Sequence, residues 1–136
     1  MENRKELLSE ILRRVQKNYM RMIEIERLTK ELGDALSRND QDTVLLLLKM
    51  RGDEMNRASE TRGEIQTILK ALNSEDRKEI EALMAGDRQG QAEDFESEKI
   101  EEISRQLRQT QERIVHIDKA VSRKLAGTDS YYQSNS

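Results

Sequence analysis

The chain has 136 residues, enough for one domain of ordinary size and too few for two. Charged residues make up 38% of it, aromatic residues only 3%, and it contains neither proline nor cysteine. The absence of cysteine excludes a disulfide framework, a thiolate metal site and a cysteine nucleophile. Because the composition is typical of long helices and lacks the signature of a sheet protein, we predict an all-α fold.

The first predicted helix spans about residues 3–38. Its apolar residues recur at three- and four-residue steps and form one stripe. They are Leu8, Leu12, Val15, Tyr19, Met22, Ile25, Leu32 and Leu36. The helix is expected to stop at Asn39, which tolerates a left-handed conformation, and Asp40 or Asp42 can cap the next helix.

The second predicted helix spans about residues 41–72. Its predicted seam is Val44, Leu48, Met55, Ala58, Ile65, Leu69 and Leu72. With Val44 and Leu48 at the centre of the core face, Leu46 points directly away from it and Leu45 and Leu47 lie about 80° to either side. This wide apolar run fits a central helix with two neighbours, and it also fits a partial groove for a partner helix.

Two glycines of this helix, Gly52 and Gly63, are eleven residues apart and fall on one face. Each costs about 1 kcal/mol relative to alanine in a helix interior. We therefore predict that another helix backbone approaches this face closely, either within the bundle or from a visiting chain.

A short acidic helix is predicted over about residues 75–86, and a long last helix over about 92–126. The last helix carries a heptad seam, which is typical of a coiled-coil contact. The seam is Ile100, Ile103, Leu107, Thr110, Ile114, Ile117, Val121 and Leu125. The four helices are predicted to form an antiparallel helical bundle with long coiled-coil-like helices over residues 1–126, followed by a flexible C-terminal tail over 127–136.

Several functional classes are disfavoured by the sequence. The single histidine, His116, cannot supply the paired Glu-x-x-His motifs of a di-iron bundle, so no metal or other cofactor is expected. Without a nucleophile–base set an enzyme is not expected either. Neither end is basic enough to predict nucleic-acid binding. The longest apolar run, Val44–Leu48, is far too short to insert in a membrane, and the N-terminus lacks a signal-peptide core, so a cytoplasmic protein is expected.

Two of the four aromatic residues, Tyr131 and Tyr132, lie in the predicted tail. They fall beyond the last seam residue and cannot be explained by a helical core. Tyrosine offers a large contact area with few torsions to restrict, so the pair is a candidate docking element. A chance exposed pair is the alternative.

The layout resembles the FlgN-type flagellar export chaperones, and the sister FliT-type chaperones have similar helices. The resemblance is carried by the turn Asn39-Asp40, the second-helix pattern, the short helix starting at Ser74-Glu75-Asp76-Arg77, the long heptad helix and the tyrosines of the tail. The second-helix residues concerned are Val44, Leu45, Leu48, Arg51, Met55, Arg62, Ile65, Leu69 and Leu72.

This resemblance implies a chaperone that binds the C-terminal segment of hook-associated proteins and delivers them to the flagellar type III export gate. Tyr131 or Tyr132 would make the docking contact at the gate. We predict that the cargo contacts Leu45, Leu46 and Leu47 of the second helix and Val115 of the last. Such a chaperone acts as a monomer or homodimer, and a coiled-coil scaffold that self-associates is the competing class.

Overall fold

The computed structural model describes the backbone of residues 3–87 and 92–134 and the side chains of residues 3–87 and 92–124. The described chain forms helices α1 (Arg4–Ser37), α2 (Gln41–Ala71), α3 (Ser74–Ala85) and α4 (Phe95–Ser134), with no strand. The predicted all-α bundle is confirmed. None of the helices in the described ranges combines the length and apolar character needed to cross a membrane.

The helix boundaries follow from residues that satisfy the backbone at each end. Asn3 accepts a hydrogen bond from the backbone N–H of Glu6 at the start of α1. Asn39 has φ 57° and Asp40 caps α2, as the sequence predicted. Asn73 caps the start of α3, and Gly86 ends that helix with φ 88°.

The helix α1 is the central element, because α2 and α4 both pack along it. No Cα atom of α2 comes within 8 Å of a Cα atom of α4 in the described chain. Instead, α3 packs mainly on α4. The flanking helices α2 and α4 therefore share α1 as a support and leave a gap between them.

The direction of α4 differs from the predicted arrangement. Arg4 contacts Asp94 just before α4, and Lys124 donates to Ser37 near the far end of both helices. Accordingly α4 is antiparallel to α2 but parallel to α1. The reason is that α3 and α4 both start beside Arg4, which contacts Asp76 in the first turn of α3 and Asp94 just before α4.

The buried core consists of three clusters along α1. The cluster at its start is Leu7, Leu8, Ile11, Val15, Ile65, Leu69, Leu72, Ile80, Leu83 and Ile100. The middle cluster is Met22, Ile25, Ala58 and Ile114. The far cluster is Leu28, Leu32, Ala35, Leu47 and Val121. The middle is thin because α2 contributes only an alanine there.

The predicted seam of α2 is wrong by one position in its first half. Leu47 is 5% exposed and packs in the far cluster, whereas Leu48 is 46% exposed. Leu47 lies eleven residues before Ala58, or about 20° away around the helix, so the side of α2 that faces α1 includes both. The residue after Leu47 is rotated by about 100° and leaves the core.

The close backbone approach predicted at Gly52 and Gly63 is also wrong for the described chain. A Cβ atom built on either glycine would meet nothing within 4 Å. Both glycines lie on the open side of α2, away from α1.

The predicted end of the last helix near residue 126 is corrected, because the helical backbone of α4 continues to Ser134. Residues 127–134, which the sequence assigned to a flexible tail, are therefore helical. No proline is present to stop the helix, and the single Gly127 costs only about 1 kcal/mol.

Candidate functional site

A groove runs between α2 and α4, with α1 as its floor. Its central cavity has a volume of about 370 Å³. The floor is Met22 and Ile25, one wall is Arg51, Met55, Ala58 and Arg62, and the other wall is Gln111, Ile114, Val115 and Asp118. The groove lies over the thin middle of the core because the two walls are held apart by the width of α1.

Most of the groove surface is apolar. Met55 on one wall is 45% exposed and Val115 on the other is 53% exposed. Ile114 and Ala58 lie deeper and are buried. An apolar surface of this kind that remains open to solvent is typical of a binding groove.

One end of the groove is crossed by a salt bridge. The guanidinium group of Arg51 lies 2.6 Å from the carboxylate of Asp118, and its Nε donates to Thr29 Oγ1 at 2.9 Å. This is the one ion pair between α2 and α4 among the described residues. It joins both walls to the floor and fixes the width of the groove at that end.

The groove continues beyond Arg62 into a second cavity of about 170 Å³. Arg108 extends across this end and donates to the backbone carbonyl of Met84 at the end of α3. The side chain passes over Gly86, where a Cβ atom would lie 2.8 Å from the guanidinium group. Glycine at this position therefore both allows the positive φ and makes room for Arg108.

Two polar groups in this part of the groove have no partner among the described residues. The Arg62 side chain lines both cavities and makes no hydrogen bond or ion pair with the described chain. Ser104 lines the second cavity, and its buried hydroxyl has no hydrogen-bond partner among the described residues. Of the two groups, the exposed Arg62 guanidinium is available to a bound molecule.

The wall formed by α4 is fixed to α1 from the outer side. The Arg113 guanidinium donates to the Glu26 carboxylate at 2.7 Å and lowers the pKa of that carboxyl group below its ordinary value. This ion pair is outside the groove. It holds α4 in place without occupying the groove.

A separate polar cavity lies at the start of α1, where Arg4 contacts Asp76 and Asp94. Burial by itself raises the pKa of Asp94, but hydrogen bonds from Ser97 and Arg4 outweigh it and hold the pKa below the ordinary value of 3.8. These contacts join the starts of α1, α3 and α4. No group of three His, Asp or Glu side chains in the described ranges is arranged to hold a metal ion.

The four residues predicted to bind cargo do not form one surface. Val115 lies in the groove, but Leu47 is a core residue and is not available, which corrects its assignment as a contact residue. Leu45 and Leu46 are 67% and 58% exposed. Relative to Leu47 they are rotated by about 160° and 100° around α2, so that Leu46 lies opposite Met55 and Leu45 lies about 80° from it.

The sequence did not identify Arg62 or Gln111 as groove residues. Met55, which the sequence predicts in the internal seam, instead lines the groove and is 45% exposed. A seven-residue spacing of Leu48, Met55 and Arg62 is visible in the sequence, but nothing local shows that this stripe lacks a partner helix.

The side chains of Tyr131 and Tyr132, predicted to dock at the export gate, lie outside the described residues.

Comparison of the chain with protein-family models, with curated proteins and with solved structures found no match.

Proposed function

We propose that this protein is a cytoplasmic, non-enzymatic export chaperone that binds an amphipathic helical segment of its cargo. The proposed cargo is the C-terminal segment of hook-associated flagellar proteins, which the chaperone delivers to the type III export gate. The observation that carries the proposal is the open apolar groove between α2 and α4. The resemblance to FlgN-type and FliT-type chaperones in the sequence supplies the cargo class.

The shape of the groove suits a helix better than a small molecule. It is long and open, and its exposed apolar residues lie on two helices that could flank a third. An amphipathic helix would bury Met55 and Val115 and complete the bundle around α1. Cargo binding then replaces solvent over the thinnest part of the core.

The test is binding of purified C-terminal segments of hook-associated proteins, measured by calorimetry or fluorescence anisotropy. Val115→Gln is expected to weaken binding, because it places a polar amide on the apolar wall. His116→Gln is the matched control, since His116 is exposed on the adjacent position outside the groove. Equal binding by the wild type and the Val115 variant would contradict the groove as the cargo site.

A second candidate is a self-associating coiled-coil scaffold. It is favoured by the exposure of Leu45 and Leu46, of which Leu46 points away from both the core and the groove. Light scattering after size-exclusion chromatography distinguishes the two functions. A homodimer that Leu46→Glu dissociates supports the scaffold, whereas a complex with a cargo segment that survives Leu46→Glu supports the groove.

A further inference from the structure

The groove has a charge opposite to that of the chain as a whole. The formal net charge of the protein is −3. In contrast, the residues lining the two connected cavities carry three guanidinium groups, Arg51, Arg62 and Arg108, and one carboxylate, Asp118. A bound segment therefore meets an apolar surface with excess positive charge.

The three arginines are not equivalent. Arg51 already pairs with Asp118, and Arg108 already donates to the Met84 carbonyl. Arg62 is exposed, lines both cavities and has no hydrogen-bond or ion-pair partner in the described chain. The excess charge is thus available mainly at one position, midway along the groove.

We infer that the groove selects an amphipathic helix that carries a carboxylate at the edge of its apolar face, and that this carboxylate pairs with Arg62. This inference rests on the proposed function, and it specifies the chemistry of the bound segment. The apolar side chains of the helix contact Met55 and Val115, while its acidic residue lies over the junction of the two cavities.

Charge complementarity of this type contributes more to the choice of partner than to the affinity of the complex. A guanidinium–carboxylate pair at the border of an apolar contact is partly shielded from water, and its hydrogen bonds are charge-assisted. Removing such a pair is expected to weaken binding by about five- to tenfold. The effect should decrease as salt concentration rises, because exposed ion pairs are screened.

The experiment uses the full-length protein and three synthetic helical peptides with the same heptad leucine stripe. They differ only at one flanking position, which is Glu, Gln or Lys. Fluorescence anisotropy at low and high salt is expected to show the Glu peptide binding about five- to tenfold more tightly than the Gln peptide at low salt. The Lys peptide is expected to bind most weakly.

Arg62→Gln should remove the preference for the Glu peptide, and Arg62→Glu should reverse it in favour of the Lys peptide. Arg13→Gln is the matched control, because Arg13 is an exposed arginine of α1 outside the groove, and it should retain the preference. Melting temperatures of all variants verify that the fold is intact.

Equal affinities for the three peptides, or a preference that persists in Arg62→Gln, overturn the inference. If Val115→Gln still weakens all three peptides equally, the groove remains the binding site and only the assignment to Arg62 fails. If no peptide binds, the inference is overturned, and the assay with hook-associated segments decides the proposed function separately.

Discussion

At the scale of single residues, one position on α2 decides whether a leucine stabilises the fold or faces solvent. Leu47 is 5% exposed and joins the far core cluster, while its neighbours Leu46 and Leu48 are 58% and 46% exposed. All of them are apolar and adjacent in sequence. Their different environments follow from a rotation of about 100° per residue on a helix that contacts α1 along one side.

We expect Leu47→Ala to lower the free energy of unfolding by about 2–5 kcal/mol, because it removes buried methyl groups and leaves a cavity. Leu46→Ala should change it by less than about 0.5 kcal/mol. Urea denaturation measures both. A destabilisation by Leu46→Ala equal to that of Leu47→Ala would show that the assigned side of α2 is wrong.

Protonation of Asp94 is expected to reduce stability in acid. Its pKa is lower in the folded chain than the ordinary value of 3.8, so the ionised carboxylate stabilises the fold. That stabilisation is complete at pH values well above 3.8 and is lost as the pH falls through the lowered folded value. Asp94→Asn retains a capping side chain and should show a smaller loss of melting temperature in acid. Glu93→Gln, at the preceding exposed position, serves as the control.

At the scale of the helix, α2 is unusual because its apolar residues are distributed around most of its circumference. One side faces α1, a second side lines the groove through Met55, and the outer side carries Leu45 together with Gly52 and Gly63. The two glycines therefore face open space. They reduce helix stability without allowing any close contact within the described chain.

Gly63→Ala is expected to raise the free energy of unfolding by up to about 1 kcal/mol, since the added methyl group meets no atom and alanine favours a helix. Gly86→Ala should have the opposite effect, by about 1–2 kcal/mol, because φ is 88° and Arg108 occupies the space of the new side chain. Thermal denaturation of the two variants tests this contrast. Stabilisation by Gly86→Ala would contradict the described turn.

At the scale of the whole molecule, the three long helices α1, α2 and α4 pack together and leave one side open between α2 and α4. Helices α2 and α4 both pack on α1, but no Cα atom of α2 lies within 8 Å of a Cα atom of α4 in the described chain. Helix α3 covers only the end at which α1 starts. Burying the exposed side chains of the groove would require another helix. The proposed chaperone role uses this open side for cargo and assigns delivery to the end of α4.

The delivery role of Tyr131 and Tyr132 gives a separate prediction. A double Tyr131→Ala, Tyr132→Ala variant should retain the wild-type melting temperature and cargo affinity, because both residues follow Val121, the last core residue among the described side chains, by at least ten positions. Secretion of the cargo, or motility, should decrease. A lower melting temperature would instead show that the tyrosines pack on the helices.

The sequence by itself determined the helices, since periodicity and capping are local properties. The left-handed Asn39 with the Asp40 cap and the seam of α4 at Ile100, Ile114 and Val121 were predicted, and the structure has them. Of the residues predicted to bind cargo, Val115 is exposed and lines the groove, and its contact with cargo stays a prediction.

Only the tertiary structure decided which apolar stripe of α2 is covered, that α4 is parallel to α1, and that Arg62 lies beside an open groove with no partner among the described residues. The physical reason is that these features depend on how helices of unequal length pack in space. Leu47 and Leu48 have equal hydrophobicity, and the choice between them is made by the distant contacts of Ala58 and Ile65 with α1. The starts of α3 and α4 lie together beside Arg4, and this position sets the direction of α4, which no local pattern specifies.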